Sequence, residues 1–485
     1  MFLGIDIGTS SVKAVLVNAD GAVVATASRP CTVSRPHPLW SEQDPEQWVT
    51  GAIAAVDELA AGWPDAVADV VGVGLSGQMH GATLLDRNGA VLRPAILWND
   101  GRSFAQCTTL ERALPDFRAV SGNIAMPGFT APKLLWVAEH EPEIFATVAK
   151  VLLPKAYVRW RLSGAMVEDM SDASGTLWLD IANRRWSDDL LAAGRLTRDH
   201  MPDLAEGSDA VARLSADLAK RWGMKTAPVI AGGAGDCAAS AVGLAATDPG
   251  DAFLSLGTSG VVWATTDRYL PNPASAVHAF CHALPGVWHQ MGVMLSAAAS
   301  LAWASSVLGA SEAALLAPLG DSVSGPSPVA FLPYLSGERT PHNDPTVRGL
   351  FAGLGAETDR NAMTQAVLEG VAFAARDNLA ALNATGTVPA SIDLAGGGSR
   401  SRLWARIGAD ILGITVHRIE DGEVGAALGA AHLGRLAATG EAPSTVCRKP
   451  RRLESFTPDP ARAAAYATAW ARWRRLYPLA KEYAS

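Results

Sequence analysis

Charged residues are scarce in this chain. Asp, Glu, Lys and Arg make up 18% of it, against 49% hydrophobic residues. Disorder needs the opposite balance, so packed cores are expected. A basic surplus is missing too, with a formal net charge of -8. Nucleic-acid binders usually carry a basic face, so no nucleic-acid partner is expected. The single basic cluster, Arg448, Lys449, Arg451 and Arg452, reads as a solvated segment. Five cysteines lie scattered, with no CxxC pair among them. That argues against a disulfide framework and points to a reducing, cytoplasmic compartment. Long apolar runs are lacking as well. The longest, around residues 227–246, is broken by Asp236 and several glycines, whereas a membrane helix needs about 20 continuous apolar residues. The N-terminal stretch has no basic region and meets Asp6 early, so it does not read as a secretory leader. No GxxxxGK[ST] occurs, which excludes a P-loop nucleotide site.

What is present is a pattern of strands and helices in alternation, the mark of an α/β architecture. Phe2 to Ile7, Val12 to Val17 and Ala22 to Ala27 read as strands, with Gly8-Thr9-Ser10-Ser11 and Asn18-Ala19-Asp20-Gly21 as the turns. The first turn therefore joins two antiparallel strands and does not open a helix. A helix is expected over 44–61, with Asp44 as N-cap and Pro45 in the first turn. Val70 to Leu75 is the next expected strand. Residues 5–12, Ile-Asp-Ile-Gly-Thr-Ser-Ser-Val, resemble residues 254–261, Leu-Ser-Leu-Gly-Thr-Ser-Gly-Val. The match recurs half a chain apart, which indicates internal duplication. Loop chemistry at Thr247-Asp248-Pro249-Gly250 sets the expected boundary, giving units 1–245 and 246–485.

Each Gly-Thr-Ser turn offers backbone amides and hydroxyls in a small concave loop, a surface that binds phosphate oxygens. The copies differ at one place: Asp6 in the first is matched by Ser255 in the second. A carboxylate beside phosphates suits Mg²⁺, which takes one or two protein oxygens and keeps its waters. Gly232-Gly233-Ala234-Gly235-Asp236-Cys237 follows a strand, and Asp236 is the lone charge in its apolar stretch. A lone buried carboxylate is costly unless it has a task or a partner. It reads as a general base for phosphoryl transfer, with a helix N-cap as the plainer alternative. Gly396-Gly397-Gly398-Ser399 follows the strand Ser391 to Leu394 and offers a platform for a planar base, then leads into a helix. Gly72-Val73-Gly74-Leu75-Ser76-Gly77 matches GxGxxG, but strand, not helix, is expected after it, so it is no dinucleotide site. His278 and His282, with Cys281 between them, lack the further ligands that zinc needs.

Together these residues resemble the FGGY carbohydrate kinases of the actin-like ATPase superfamily, over nearly the whole chain. Phosphate motifs of that family match Asp6 to Ser10 and Leu256 to Gly260, and its adenosine motif matches Gly396 to Ser399. Signature segments resemble Gly128 to Trp136 and Gly349 to Leu354, running on to Glu369. The resemblance implies two duplicated actin-like (ribonuclease H-like) domains, each a mixed sheet flanked by helices, with a cleft between. It implies ATP and Mg²⁺, with Asp6 as the metal-linked and Asp236 as the catalytic carboxylate. Gly8, Thr9, Ser10, Gly257, Thr258, Gly397, Gly398 and Ser399 would hold the nucleotide. Gly77-Gln78-Met79-His80-Gly81, Leu97 to Arg102 and Ser171 to Thr176 resemble the members acting on D-xylulose, so Met79, His80, Asn99 and Asp236 would meet the sugar. Without that resemblance His80 reads as a core histidine. Cys237 departs from the asparagine common at its position. Family members acting on ribulose, fuculose, gluconate or glycerol stay as alternatives, as does a non-catalytic sugar sensor. A homodimer is expected from the resemblance alone.

Overall fold

The computed structural model describes residues 1–420 and 425–484. Two seven-stranded mixed sheets organise them. The first runs in the order Ala210–Arg213, Val229–Ala231, Gly72–Gly77, Phe2–Ile7, Ser11–Val17, Val23–Pro30, with Ala234–Gly235 beside the end of Gly72–Gly77. The second runs His278–Cys281, Trp288–Met294, Gly260–Thr266, Ala252–Leu256, Ser391–Ala395, Thr415–Ile419, Arg452–Phe456. Central strands such as Phe2–Ile7 and Gly72–Gly77 are buried almost throughout, which explains their continuous apolar or small-residue runs in place of alternation.

The duplication extends beyond the matching octamers to sheet topology. Phe2–Ile7 pairs antiparallel with Ser11–Val17 and parallel with Gly72–Gly77. Ala252–Leu256 pairs antiparallel with Gly260–Thr266 and parallel with Ser391–Ala395. Each Gly-Thr-Ser turn thus sits at a hairpin end, beside the C-terminal end of a parallel strand. Ligands in open α/β sheets gather at such ends. In the first half that strand runs into Gln78-Met79-His80; in the second it runs into Gly396-Gly397-Gly398. The sugar motif and the adenosine motif therefore occupy equivalent places.

The two halves interlock. The helix Ala426–Thr439 lies across the first sheet rather than its own. A Cβ on Gly74 would stand 1.8 Å from the Ala430 carbonyl oxygen, and one on Gly4 1.9 Å from that of Ala427. Only glycine permits this approach. The same helix packs on the short helix Asp236–Gly243, where a Cβ on Gly429 would come 1.7 Å from the Ala239 carbonyl oxygen. Local boundaries shift slightly from expectation. The first long helix spans Glu46–Gly62, with Pro45 rather than Asp44 at the cap; the Asp44 carboxylate instead accepts the Glu46 amide at 3.0 Å. After the glycine platform a 3₁₀ turn, Gly397–Arg400, precedes the helix Arg402–Leu412, which Ser401 caps. Among the described residues no single helix is long and apolar enough to cross a membrane.

Candidate active site

In the first phosphate loop, the Gly8 amide closes the turn on the Ser11 carbonyl at 3.0 Å. Among the described residues the amides of Thr9 and Ser10 meet no protein acceptor. Thr9 is held from three sides: its hydroxyl donates to Gln78 Oε1 (2.8 Å) and accepts from Trp98 Nε1 (3.0 Å), and its carbonyl accepts from Gln43 Nε2 (2.7 Å). So the Thr9 hydroxyl is spent on positioning, and the loop's amides and Ser10 face outward. The second loop sits over the start of the helix Ala298–Leu308. The carbonyls of Gly257 and Thr258 accept the Ala298 and Ala297 amides at 2.7 and 2.9 Å.

Beside the first loop, Asp6 Oδ1 accepts the Ser76 hydroxyl at 2.7 Å. Its counterpart Ser255 pairs with Ala395, so the second half keeps no such carboxylate. Asp236 opens the helix Asp236–Gly243, with Gly235 at the N-cap position. The N-cap alternative is therefore not realised: the Asp236 carboxylate accepts the amide of its neighbour Cys237, at 2.7 Å. Burial, and then the charge of Asp6, raise the Asp236 carboxyl to about 6, against the Cys237 donors. Burial raises Asp6 as well, opposed by Ser76 and Lys13. Asp6 and Asp236 thus offer oxygens of the kind a hard divalent cation takes, while the free loop amides offer donors to anions.

Met79 and His80 lie against the Asp236 loop. A Cβ on Gly235 would meet Met79 Cγ at 2.8 Å, and one on Gly175 would meet His80 Cε1 at 2.5 Å. His80 adopts φ +71°, a left-handed conformation that strains a non-glycine residue and marks functional sites. Its Nδ1 donates to the Gly175 carbonyl at 2.8 Å, and its own carbonyl accepts from Lys133 Nζ at 3.0 Å. Burial, with Lys133 beside it, lowers the ring to about 3. The imidazole is therefore neutral, and its Nε2 is left as an acceptor for a hydroxyl. Asn99 sits exposed in the turn after Leu97, next to buried Asp100, whose carboxylate accepts the Ser41 amide and Arg102.

The glycine platform borders a cavity of about 790 Å³. Gly397, Gly398 and Arg400 form one side; Ala298, Leu301 and Leu316 form an apolar side. A Cβ on Gly396 would lie 3.0 Å from the Leu256 carbonyl, so the cavity adjoins the second phosphate loop. That volume suits a nucleoside. Ser399 is not part of the lining: it is buried, and its carbonyl accepts Arg418 Nε at 2.8 Å.

Comparison with known proteins decides what this arrangement belongs to. The model of the N-terminal domain of the FGGY family of carbohydrate kinases matches residues 1–243, and that of its C-terminal domain matches residues 252–438. The chain belongs to the FGGY family of carbohydrate kinases. Within the family it is 52% identical to a xylulose kinase of Escherichia coli (strain K12), over 98% of each chain. A solved structure described as a xyloylose kinase from Brucella ovis is 53% identical, with a TM-score of 0.96 over 99% of each chain. A xylulose kinase from Rhodospirillum rubrum is 32% identical, with a TM-score of 0.92 over 99% of each chain.

One part of this FGGY site escaped the sequence reading. Lys155 lies buried beneath the Gly77 and Gly233 turns, 2.6 Å from Glu168, 2.8 Å from Asp169 and 3.5 Å from Asp172. These three carboxylates are the only group among the described residues with metal-ligand spacing, but Lys155 already occupies their centre. Burial, and then the neighbouring carboxylates and Asp236, hold Asp172 well above the usual range. The cluster braces the loop, since Ser171 Oγ accepts the Gly235 amide at 3.2 Å. Asp172 lay in a recognised motif, but nothing in the sequence paired it with Lys155. His278 and His282 stand in a buried aromatic cluster with Phe280 and His289, and no metal group forms around them among the described residues.

Proposed function

We propose that the chain transfers the terminal phosphoryl group of ATP to O5 of D-xylulose, giving ADP and D-xylulose 5-phosphate. The observation that carries this reading is the placement of Asp236 at the turn that packs on Met79, near enough to Asp6 for its charge, with burial, to push the Asp236 carboxyl up to about 6. Asp236 accepts the proton of the attacking hydroxyl. His80 Nε2 accepts a second sugar hydroxyl and Met79 packs on the carbon chain. Amides of Thr9, Ser10, Thr258 and Ser259 donate to phosphate oxygens, and such fixed donors supply much of the stabilisation in phosphoryl transfer. The base and ribose lie over Gly397 and Gly398. Asp6 is the residue that would hold Mg²⁺, which when bound offsets phosphate charge. The units 1–245 and 246–485 would close over both substrates and exclude water. A cytoplasmic protein without nucleic-acid or membrane partners agrees with the acidic charge and scattered thiols, and a homodimer rests on the family resemblance alone.

A coupled kinase assay tests the substrate directly, with D-xylulose, D-ribulose, L-fuculose, D-gluconate and glycerol in parallel. D-Xylulose is expected to give the highest kcat/KM. A higher value for any other acceptor would overturn the substrate, and no turnover on any of them would overturn the kinase reading.

A further inference from the structure

The first phosphate loop and the sugar motif meet at one buried side chain. Phe2–Ile7 and Gly72–Gly77 run parallel, with Ile7 opposite Gly77. Gln78 is the next residue, and its amide donates to the Ile7 carbonyl at 2.8 Å. Its side chain reaches Thr9 and joins a network that ends on two indoles. Gln78 Nε2 donates to Gln43 Oε1 at 2.8 Å. Gln43 Nε2 donates to the carbonyls of Thr9 and Thr32, at 2.7 and 3.2 Å. Trp48 Nε1 donates to Gln43 Oε1 at 3.0 Å. The Thr9 hydroxyl lies between Gln78 Oε1 and Trp98 Nε1, at 2.8 and 3.0 Å.

The polarity of this network has one solution. An indole nitrogen only donates, so the Gln43 atom facing Trp48 is its oxygen. The Gln78 atom facing that oxygen is then its amide nitrogen, and the Gln78 oxygen faces Thr9. Thr9 therefore gives its proton to Gln78. That agrees with its accepting from Trp98, a second donor-only indole. The Thr9 hydroxyl has no proton left for a phosphate oxygen. Gln43 and Gln78 are both buried, so removing a partner from either strands a polar atom.

The second half lacks this brace. Asp6 pairs with Ser76, and Ser255 with Ala395, so two residues further on Gln78 corresponds to Gly397. The second loop is held instead by the amides of Ala297 and Ala298. We propose that Gln78 is a positioning residue for phosphoryl transfer: through Thr9 it holds the loop Gly8 to Ser10 so that the amides of Thr9 and Ser10 aim at the phosphates. Met79 and His80 follow it directly, so the same residue fixes the spacing between the sugar turn and the phosphate loop. This rests on the reading of Gly8 to Ser10 as a phosphate loop.

Steady-state kinetics of wild type, Gln78→Met, Thr9→Val and the double variant test it, with ATP and D-xylulose varied in turn. Gln78→Met keeps the length and removes both polar ends. It is expected to lower kcat/KM for ATP about 10-fold, the scale of two hydrogen bonds between uncharged groups, and to change KM for D-xylulose less than about threefold. Thr9→Val removes the other end of the same bond at nearly the same size and should give the same split. It carries the comparison alone if Gln78→Met does not melt cooperatively. The two residues act as a unit, so the double variant should lose less than the product of the single losses, by at least about threefold. Losses that multiply in full would overturn the assignment. So would a rise in KM for D-xylulose alone, which would confine Gln78 to the sugar turn. A loss in Thr9→Val without one in Gln78→Met would also overturn it, because the hydroxyl would then meet phosphate directly. Gly8→Ala separates the underlying reading, since its Cβ would stand 3.0 Å from the Ser11 carbonyl oxygen and disturb the loop itself. An unmoved kcat/KM for ATP in Gly8→Ala would overturn the phosphate loop; a fall there with none in Gln78→Met would overturn the Gln78 assignment alone.

Discussion

At Asp236 the carboxyl titrates near pH 6 because burial and Asp6 both disfavour its charge. A base works only when ionised, so kcat/KM for D-xylulose should fall as pH drops through about 6, by about tenfold per unit below it. Cys237 tunes this value, because its amide and thiol both donate to Asp236 and lower it. In Cys237→Ala the thiol donor is gone and the acid limb should move up by about half to one pH unit, the worth of one hydrogen bond. A pH profile of kcat/KM would show this; an unmoved limb would mean that the thiol does not contact the carboxylate. Legibility at this scale was uneven. Asp236 stood out as the lone charge in an apolar stretch, a contrast that any reading of burial cost detects. His80 did not, because its strained φ and its bond to Gly175 come from elements 95 residues apart.

The elements that position these residues divide by the range of their contacts. The Gly-Thr-Ser hairpins were legible because turn and paired strands are adjacent in sequence, and the asymmetry between Asp6 and Ser255 could be read from aligned octamers. The helix Ala426–Thr439 was not. Its small-residue composition says that it is buried, but not that it crosses to the other half's sheet. Gly429 tests that crossing. Alanine in a helix interior normally adds about 1 kcal/mol over glycine. Here the added Cβ would strike the Ala239 carbonyl of the helix that carries Asp236. Gly429→Ala should therefore lower both Tm and kcat, measured by thermal melting and the coupled assay. A higher Tm with unchanged kcat would show that the two helices are free to separate. The Lys155 cluster was equally hidden, since its members join two helices and a strand by charge pairing alone.

For the whole molecule, the proposed division of labour would follow from duplication: equivalent strand ends would bind sugar in one half and nucleoside in the other, with Asp6 matched by Ser255 across the repeat. Sugar binding should then promote closure. 5-Deoxy-D-xylulose fills the sugar site but offers no acceptor hydroxyl, so it is expected to raise ATP hydrolysis above the sugar-free rate, with water taking the vacant place. No stimulation at saturating analogue would contradict coupling between the halves. The central claim, that Asp236 is the base of a D-xylulose kinase, is tested most directly by single-substitution kinetics. Asp236→Asn keeps the shape and removes the base. Its kcat with D-xylulose and ATP should fall at least ~100-fold, with ATP affinity and melting close to wild type. Near-normal turnover in that variant would contradict the assignment.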